Sequence, residues 1–399
     1  MAQGALHGIR VVDLSTVILA PWASQILGDM GADVIKVETS QGDTTRQIGP
    51  RRNDGMASFF LASNRNKRSI VLDITQPEGF EALTRIVGTA DVFLHNLRPR
   101  VAAKLGVDYA RFAEHFPKLV YCGTYGFRRD GPLADNPAYD DIIQAASGLA
   151  DLLGVTSDQP RFVPTVLADK TTSYNVVASI VAALLFRERG GGGQELEVPM
   201  FETMVDFIMV EHLYGASFEP PIDCLGYPRI LTRERRPYAT KDGYLAVLPY
   251  SDDNWRSLFA LAGRPGMMDD PRFSTLSARM QNAEAVYAIL AEILTSRTTA
   301  EWQRLLGDAN VAVMAVSTMD SLLENEHLTA TGFWRMVDHP TEGRLRMTDP
   351  PTRFGKSQSG IRRLQPTLGE HSAEILSEAG YGPAQIAALF DTGITRCAT

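Results

Sequence analysis

Along the first half of the chain, short apolar runs rich in β-branched residues alternate with stretches of helical spacing. Ile9–Leu14, Val34–Glu38, Ser69–Leu72, Val92–Asn96 and Leu119–Gly123 read as buried strands. Pro21–Met30, Pro77–Gly88, Val101–Leu105 and Tyr109–His115 read as the helices between them. Strands alternating with helices imply an α/β fold, with a mostly parallel sheet covered on both faces.

Further on, Val177, Ile180, Val181, Leu184 and Leu185 follow the i, i+3, i+4, i+7 rule and predict a helix directly after Asp169. The run Gly190 to Gly193 stops it, a strand is expected from Glu195 to Val198, and a second long helix from Met200 to His212. Prolines and glycines at Glu219-Pro220-Pro221 and Gly226-Tyr227-Pro228 then mark a linker. Pro237–Thr240 and Tyr244–Leu248 flank Lys241-Asp242-Gly243, a hairpin turn signal. Helices are expected at Asn254–Ala262 and Ala283–Thr295, and a third from the capping box Thr298-x-x-Glu301. A hairpin around His339–Gly343 and two terminal helices complete the pattern. The expected division is a large α/β domain over residues 1–203, a linker over 204–225, an inserted smaller α+β domain over 226–325, and a return to the large domain over 326–399.

Composition narrows the function classes. With 44% hydrophobic and 22% charged residues in 399, the chain is an ordinary globular protein. A net charge of −8 argues against a nucleic-acid partner. Two basic clusters, Arg65–Lys67–Arg68 and Arg98–Arg100–Lys104, read as solvated surface, with a phosphate-bearing ligand as the rarer reading. Cys122, Cys224 and Cys397 lack CxxC spacing and are expected as free thiols. The N-terminus lacks the basic and apolar regions of a secretory signal, and no apolar run approaches ~20 residues, so a cytoplasmic protein without a membrane span is expected. Seven scattered histidines without HExxH spacing argue against a metal site. The absence of GxGxxG after the first strand, and of GxSxG anywhere, removes the commonest nicotinamide and hydrolase signals. The four-glycine run follows a helix instead of opening one, which makes it a connector and not a phosphate loop.

Asp169 lies in Val166-Leu167-Ala168-Asp169-Lys170-Thr171-Thr172, just before the apolar helix. That position suits a helix N-cap. It equally suits a nucleophile, because a helix N-terminus favours an ionised carboxylate and can stabilise a developing oxyanion. Position alone does not choose between them.

Several ordered segments carry a resemblance over nearly the whole chain: GIRVVDLSTVILAPWASQILGDMGADVIKVE with GDTTR, NRNKRSIVLD at Asn64–Asp73, HNLRPRVAAKLG at His95–Gly106, YDDIIQAASGL at Tyr139–Leu149, VLADKTTSYN, GGGGQELEVPMFE, RPYATKDGYLAV and LGEHSAEIL. In these the chain resembles the family III CoA-transferases. The resemblance implies a Rossmann-like large domain with the inserted smaller domain, and an interlocked homodimer in which stretches near Met204–Leu225 and Asn325–Phe354 cross between domains. Asp169 matches the family's catalytic aspartate, with Tyr139 and Asp140 as an aromatic–acidic pair beside it. Val17, Ile18 and Leu19 match the loop lining the thioester region, Ile18 standing where the family often has glutamine. Asn96, Leu97 and Lys104 match positions near pantetheine and phosphates, and Leu72 and Met200 match apolar positions around CoA. Arg46 or Arg229 could hold the second carboxylate of a dicarboxylate, or contact CoA, or lie at the surface.

The implied reaction moves CoA from an acyl-CoA to a free carboxylic acid through an aspartyl anhydride and an aspartyl–CoA thioester, with no metal or other cofactor. There are two rivals. A related racemase would work at the acyl α-carbon, but that group uses histidine where this chain has Tyr139, and a tyrosine of pKa about 10 is a poor base at neutral pH. A silent acyl-CoA-binding protein is the other.

Overall fold

A computed structural model of the chain describes residues 3–397. Contacts divide it into two units, the first comprising Met1–Gly148, Val163–Phe207 and His327–Thr399, the second Leu149–Phe162 and Ile208–Glu326.

In the first unit six parallel strands, β1 (Arg10–Leu14), β2 (Asp33–Glu38), β3 (Lys67–Val71), β4 (Val92–His95), β5 (Val120–Gly123) and β6 (Gln194–Glu197), run in the order β3-β2-β1-β4-β5-β6. The apolar runs lack polar alternation because both faces are buried. Val11, Val34, Val92, Leu94, Val120 and Cys122 face one core layer, with Leu27, Ile180 and Leu184 from the helices Leu19–Asp29 and Leu167–Phe186. Their neighbours Val12, Ile35, Phe93 and Tyr121 face the other, against Leu83, Ile86 and Phe112 and the terminal helices Ser372–Glu378 and Pro383–Asp391. Strand order reverses between β1 and β4, and in open parallel sheets a crevice opens at the carboxyl ends of the strands flanking that point. An antiparallel hairpin, β10 (Trp334–His339) and β11 (Gly343–Thr348), forms where the turn at His339–Gly343 is expected.

The second unit pairs β7 (Tyr238–Ala239), β8 (Tyr244–Leu248) and β9 (Ala312–Ala315) antiparallel over a core that includes Trp255, Phe259, Leu290, Leu294 and Trp302. The capping box at Thr298 and Glu301 is made in both directions.

Three expectations change. The first basic cluster is not solvated: Arg65, Lys67 and Arg68 are all buried. Arg65 pairs with Asp29 at 2.8 Å, and Arg68 reaches Asp33, Glu374 and Glu378. Lys67 satisfies its three N–H donors on Asp13 Oδ2 (3.1 Å), the Pro21 carbonyl (2.7 Å) and Asn64 Oδ1 (2.8 Å). Burial pulls the Lys67 ammonium down to about 8, against the opposing pull of Asp13. Secondly, the residue 203 boundary falls inside a continuous helix, Met200–His212, so the expected linker at 204–225 begins as helix and the contact boundary lies after Phe207. Thirdly, residues 149–162 group with the second unit, not the first. Among the described residues no helix is long and apolar enough to cross a membrane, and no cluster of three or more His, Cys, Asp or Glu could hold a metal.

Candidate active site

The crevice predicted by the strand order is present. A cleft of about 330 Å³ opens at the carboxyl ends of β1, β4 and β5, lined by Thr16, Val17 and Leu19 after β1, Asn96, Leu97 and Arg98 after β4, and Thr124 to Gly126 after β5. Asn136 to Tyr139, Asp169 and Met200 close it.

Hydrogen bonds join its lips. Asn96 accepts the Thr16 N–H on Oδ1 (3.1 Å) and donates from Nδ2 to the Thr16 carbonyl (2.7 Å), so one amide clasps the loops after β1 and β4. Arg98 donates to the Asp135 carbonyl at 2.9 Å. Val17 takes φ = +72°, a conformation costing a β-branched residue about 1–2 kcal/mol. The surroundings hold it there, because its N–H donates to Asp43 Oδ1 (3.2 Å) and Asp43 is paired with the fully buried Lys36 at 2.9 Å. Burial, the largest single influence, would raise the Asp43 carboxyl, but the Lys36 charge together with hydrogen bonds from Thr45 and Lys36 holds the group below its usual range. Strain maintained in this way is a feature of functional loops.

Asp169 is the third residue of the helix Leu167–Phe186, not its cap, since the helix starts three residues earlier than its periodicity suggests. Its residue is 8% exposed. Burial, reinforced by the nearby Asp140 charge and opposed by Lys170, lifts its carboxyl from 3.8 to about 7. The helix N-terminus therefore does not keep this carboxylate low, because desolvation dominates. Asp140, also buried, begins the helix Asp140–Ala146; its Oδ1 accepts the Asp169 N–H at 3.0 Å, and its Oδ2 accepts from Gln144 at 2.5 Å. A second helix N-terminus reaches the cleft, for Leu19 opens the helix Leu19–Asp29 behind Ile18, which makes no side-chain cap. The partial positive charge of both helix ends lies where negative charge would be handled.

His95, the histidine beneath this cleft, is already committed. Its Nδ1 accepts the Leu97 N–H (3.2 Å) and its Nε2 lies 2.8 Å from the Tyr121 hydroxyl, which donates to the Val107 carbonyl at 2.8 Å. Burial pulls its pKa down to about 4, so the ring is neutral and Nε2 carries its proton. It has no vacant nitrogen with which to act as a base.

The other sequence candidates divide cleanly. Val17, Leu19, Asn96, Leu97, Tyr139 and Met200 line the cleft with Asp169, and Tyr139 is 68% exposed at its mouth. Ile18 is buried between two lining residues, and Asp140 stands behind Asp169. Arg46, Leu72 and Lys104 are elsewhere. Arg46 is buried and engaged bidentately by Glu38, with both bonds at 2.8 Å. Leu72 belongs to the core layer with Val12 and Ile70, and Lys104 is exposed outside the cleft lining. Arg229 lies in the second unit, beside Tyr287. Sequence reasoning does not single out Thr16, Tyr125, Asp43 or Gln144, and takes Arg98 only as one of a basic cluster read as solvated surface. For Gln144 a signal exists: it stands four residues after Asp140, on the same face of one helix.

The model of a family described as CoA-transferase family III matches residues 6–372. The chain is 36% identical to a succinate–glutarate CoA-transferase of Agrobacterium fabrum, over 94% of this chain and 95% of that one. It is 31% identical to a formyl-CoA:oxalate CoA-transferase of Streptomyces avermitilis, over 98% and 99%. Among solved structures it is similar to Rv3272 of Mycobacterium tuberculosis, with a TM-score of 0.83 at 27% identity, covering 94% of this chain and 99% of that one.

Proposed function

Since the chain belongs to CoA-transferase family III, we propose that Asp169 is the nucleophile that carries the acyl group and then CoA. The observation that carries this reading is a buried carboxylate of pKa about 7 on the wall of the switch-point cleft, between two helix N-termini.

The ionised Asp169 oxygen attacks the thioester carbonyl, the C–S bond breaks, and an aspartyl anhydride and CoA thiolate result. The thiolate attacks the aspartyl carbonyl and expels the first acid as its carboxylate, leaving an aspartyl–CoA thioester. The acceptor carboxylate attacks that thioester, forming a second anhydride and releasing thiolate. Thiolate then attacks the acceptor's carbonyl, giving the new acyl-CoA and free Asp169. Each step exchanges one anionic leaving group for another, so no proton is consumed and no metal is required. Partial positive charge at the N-termini of both helices suits the oxyanions that form on the way. Asn96, Leu97 and Met200 are positioned to flank the pantetheine arm, with Val17 and Leu19 around the acyl carbon.

An α-carbon isomerase has less support. It would need a second acid–base group beside Asp169, and Asp140 spends both oxygens on the Asp169 N–H and Gln144, Tyr139 is an exposed phenol, and both His95 nitrogens are occupied. The relatives point to the acids worth assaying first: succinate, glutarate, formate and oxalate, each with its CoA ester.

A second copy of the chain completes the molecule in this reading, as an interlocked homodimer. From Val176 to Phe186 the helix Leu167–Phe186 is apolar nearly all round, and Val181, Leu185 and Phe186 stay exposed on that stretch, with Tyr174 just before it. A helix of that composition is normally covered on every side. Light scattering should give roughly twice the 43.8 kDa chain mass.

Intact-mass analysis after incubation with each acyl-CoA, followed by peptide mapping, tests the mechanism. A CoA adduct on the peptide containing Asp169, absent in Asp169→Ala, is expected. Undiminished transfer by Asp169→Ala would sink the assignment.

A further inference from the structure

Gln144 is fully buried, and no chemical step uses it. Its Oε1 accepts the Val163 N–H at 2.8 Å, while Nε2 donates to Asp140 Oδ2 at 2.5 Å and points toward the Thr165 carbonyl at 3.4 Å. The amide orientation follows from its partners, because Val163 offers only a donor and the other two only acceptors. Asp140 passes the connection on by accepting the Asp169 N–H at 3.0 Å. The unbroken chain is therefore Val163 N–H to Gln144, Gln144 to Asp140, and Asp140 to the Asp169 N–H.

The location gives this chain its consequence. Residues 149–162 belong to the second unit, and at Val163 the polypeptide re-enters the first. Only three residues separate Val163 from Leu167, where the helix bearing Asp169 begins. Gln144 grips the point of re-entry with one end of its amide, and with the other holds the carboxylate that grips Asp169. Both ends of the stretch 163–169 are thus tied to a single buried side chain.

We propose that Gln144 is a positioning residue for the nucleophile, fixing the first turn of its helix and keeping the Asp140 carboxylate on the Asp169 main chain. This rests on Asp169 being the nucleophile. The charged and titratable groups facing Asp169 are Asp140 and Lys170, with Arg98 and Tyr139 on the cleft wall. Misplacing a reacting group by about 1 Å can cost ~100-fold in rate. Gln144→Leu, which keeps volume and removes all of these bonds, should therefore lower kcat by about ten- to a hundredfold, with KM for acyl-CoA changed by less than about threefold.

Gln144→Glu makes the test specific. A carboxyl at that position can bond to Asp140 only while the two acids share a proton. The variant should keep the acidic limb set by Asp169, transfer CoA near neutral pH and lose activity at higher pH as the shared proton leaves, giving a descending alkaline limb that the unaltered protein lacks. The double variant Asp140→Asn with Gln144→Glu restores the connection from Val163 to Asp169 with donor and acceptor exchanged, giving up only the 3.4 Å contact to the Thr165 carbonyl: the amide introduced at position 140 accepts the Asp169 N–H and donates to the new carboxylate at position 144. Its alkaline limb should vanish. A purely structural glutamine would lower thermal stability without creating a limb or having it removed.

The measurements are kcat and KM against pH for these three variants, beside aspartate-labelled 13C NMR titration of Asp169, which needs no turnover. Folded Gln144→Leu with unaltered kcat and an unmoved Asp169 midpoint would overturn the proposal. So would Gln144→Glu with no alkaline limb, which settles the question if the leucine variant does not fold. Absence of any CoA adduct on the unaltered protein would refute the nucleophile reading instead, and the NMR midpoint would then test Gln144 by itself.

Discussion

Asp140 meets Asp169 through the main chain: its Oδ1 accepts the Asp169 N–H at 3.0 Å, while its charge still acts on the Asp169 carboxyl. The two acids consequently have separate tasks. Asp140 spends both oxygens on fixed donors, from Asp169 and Gln144, whereas Asp169 is left at the cleft wall with burial as the chief influence on its proton. A carboxylate held up to about 7 is more basic than an ordinary aspartate, and so is a stronger nucleophile once ionised.

The pH dependence of kcat/KM follows from that value. Only the ionised carboxyl attacks, so the rate should fall as pH drops through about 7. At pH 6 about one-tenth of Asp169 is ionised and at pH 8 about nine-tenths, so the acidic limb should approach tenfold per pH unit. A pH–rate profile with a stable acyl-CoA checks this, and a flat profile between pH 5 and 8 would contradict it.

The same shift makes Asp169 a liability for stability. Its pKa is raised on folding, so the native state is favoured by this group fully below the unfolded value of 3.8, and that contribution is lost as pH rises through about 7. Asp169→Asn carries no charge and escapes the loss. The variant should melt above the unaltered protein at pH 8, by an amount corresponding to a few kcal/mol at most, and the gap should close as pH falls through 7 toward 4. Thermal denaturation at pH 5 and 8 measures it. Equal melting temperatures at pH 8 would show that the carboxylate is better solvated than its burial implies.

Much of this architecture is legible in the chain. Period-free apolar runs such as Val92–His95 have no polar face because neighbouring residues pack on opposite layers, and that pattern reads correctly as a parallel sheet. What the sequence conceals is where charge is buried. Lys67 and Arg68 look like surface residues because their partners, Asp13 and Asp33, are 54 and 35 residues away. Strand β9 carries no comparable signal, being four residues at one edge of the β7–β8–β9 sheet, paired only with β8. At the site, Asp169, Asn96 and Val17 are marked by resemblance, but Asp43 shows its hold on Val17 only in three dimensions, and Gln144 offers in sequence only its spacing from Asp140.

Val17 offers a test with an unusual sign. Alanine in its place removes the two γ-methyls from the cleft and glycine removes the β-carbon as well, and at element-interior positions glycine is the less stable by about 0.5–1 kcal/mol. At φ = +72° the order should reverse, with Val17→Gly more stable than Val17→Ala by about 1 kcal/mol. Denaturant unfolding of the two variants gives the difference directly. The ordinary order would mean that the loop relaxes out of this conformation once the γ-methyls are gone.

Arg46 decides between a ligand contact and a support of the fold. Its guanidinium meets both Glu38 oxygens at 2.8 Å, lies 3.7 Å from the centre of the Phe60 ring, and reaches the Gly55 and Pro366 carbonyls. Burial, the largest single influence, would raise the Glu38 carboxyl, but Arg46, with help from Lys36 and Ser69, offsets this and keeps it below its usual range. Removing Arg46 would leave that charge buried with Lys36, Ser69 and the Asp43 N–H as remaining partners. Breaking one half of a buried pair typically costs about 3–5 kcal/mol. Arg46→Met, which fills the space without the charge, should therefore lower stability by an amount of that order and leave KM for acyl-CoA near its original value in the folded fraction. Were Arg46 a carboxylate or phosphate contact, the reverse would hold: KM would rise steeply and the unfolding midpoint would barely move. Urea denaturation and steady-state kinetics on the same preparation separate the two. The buried, bidentate geometry predicts the first outcome.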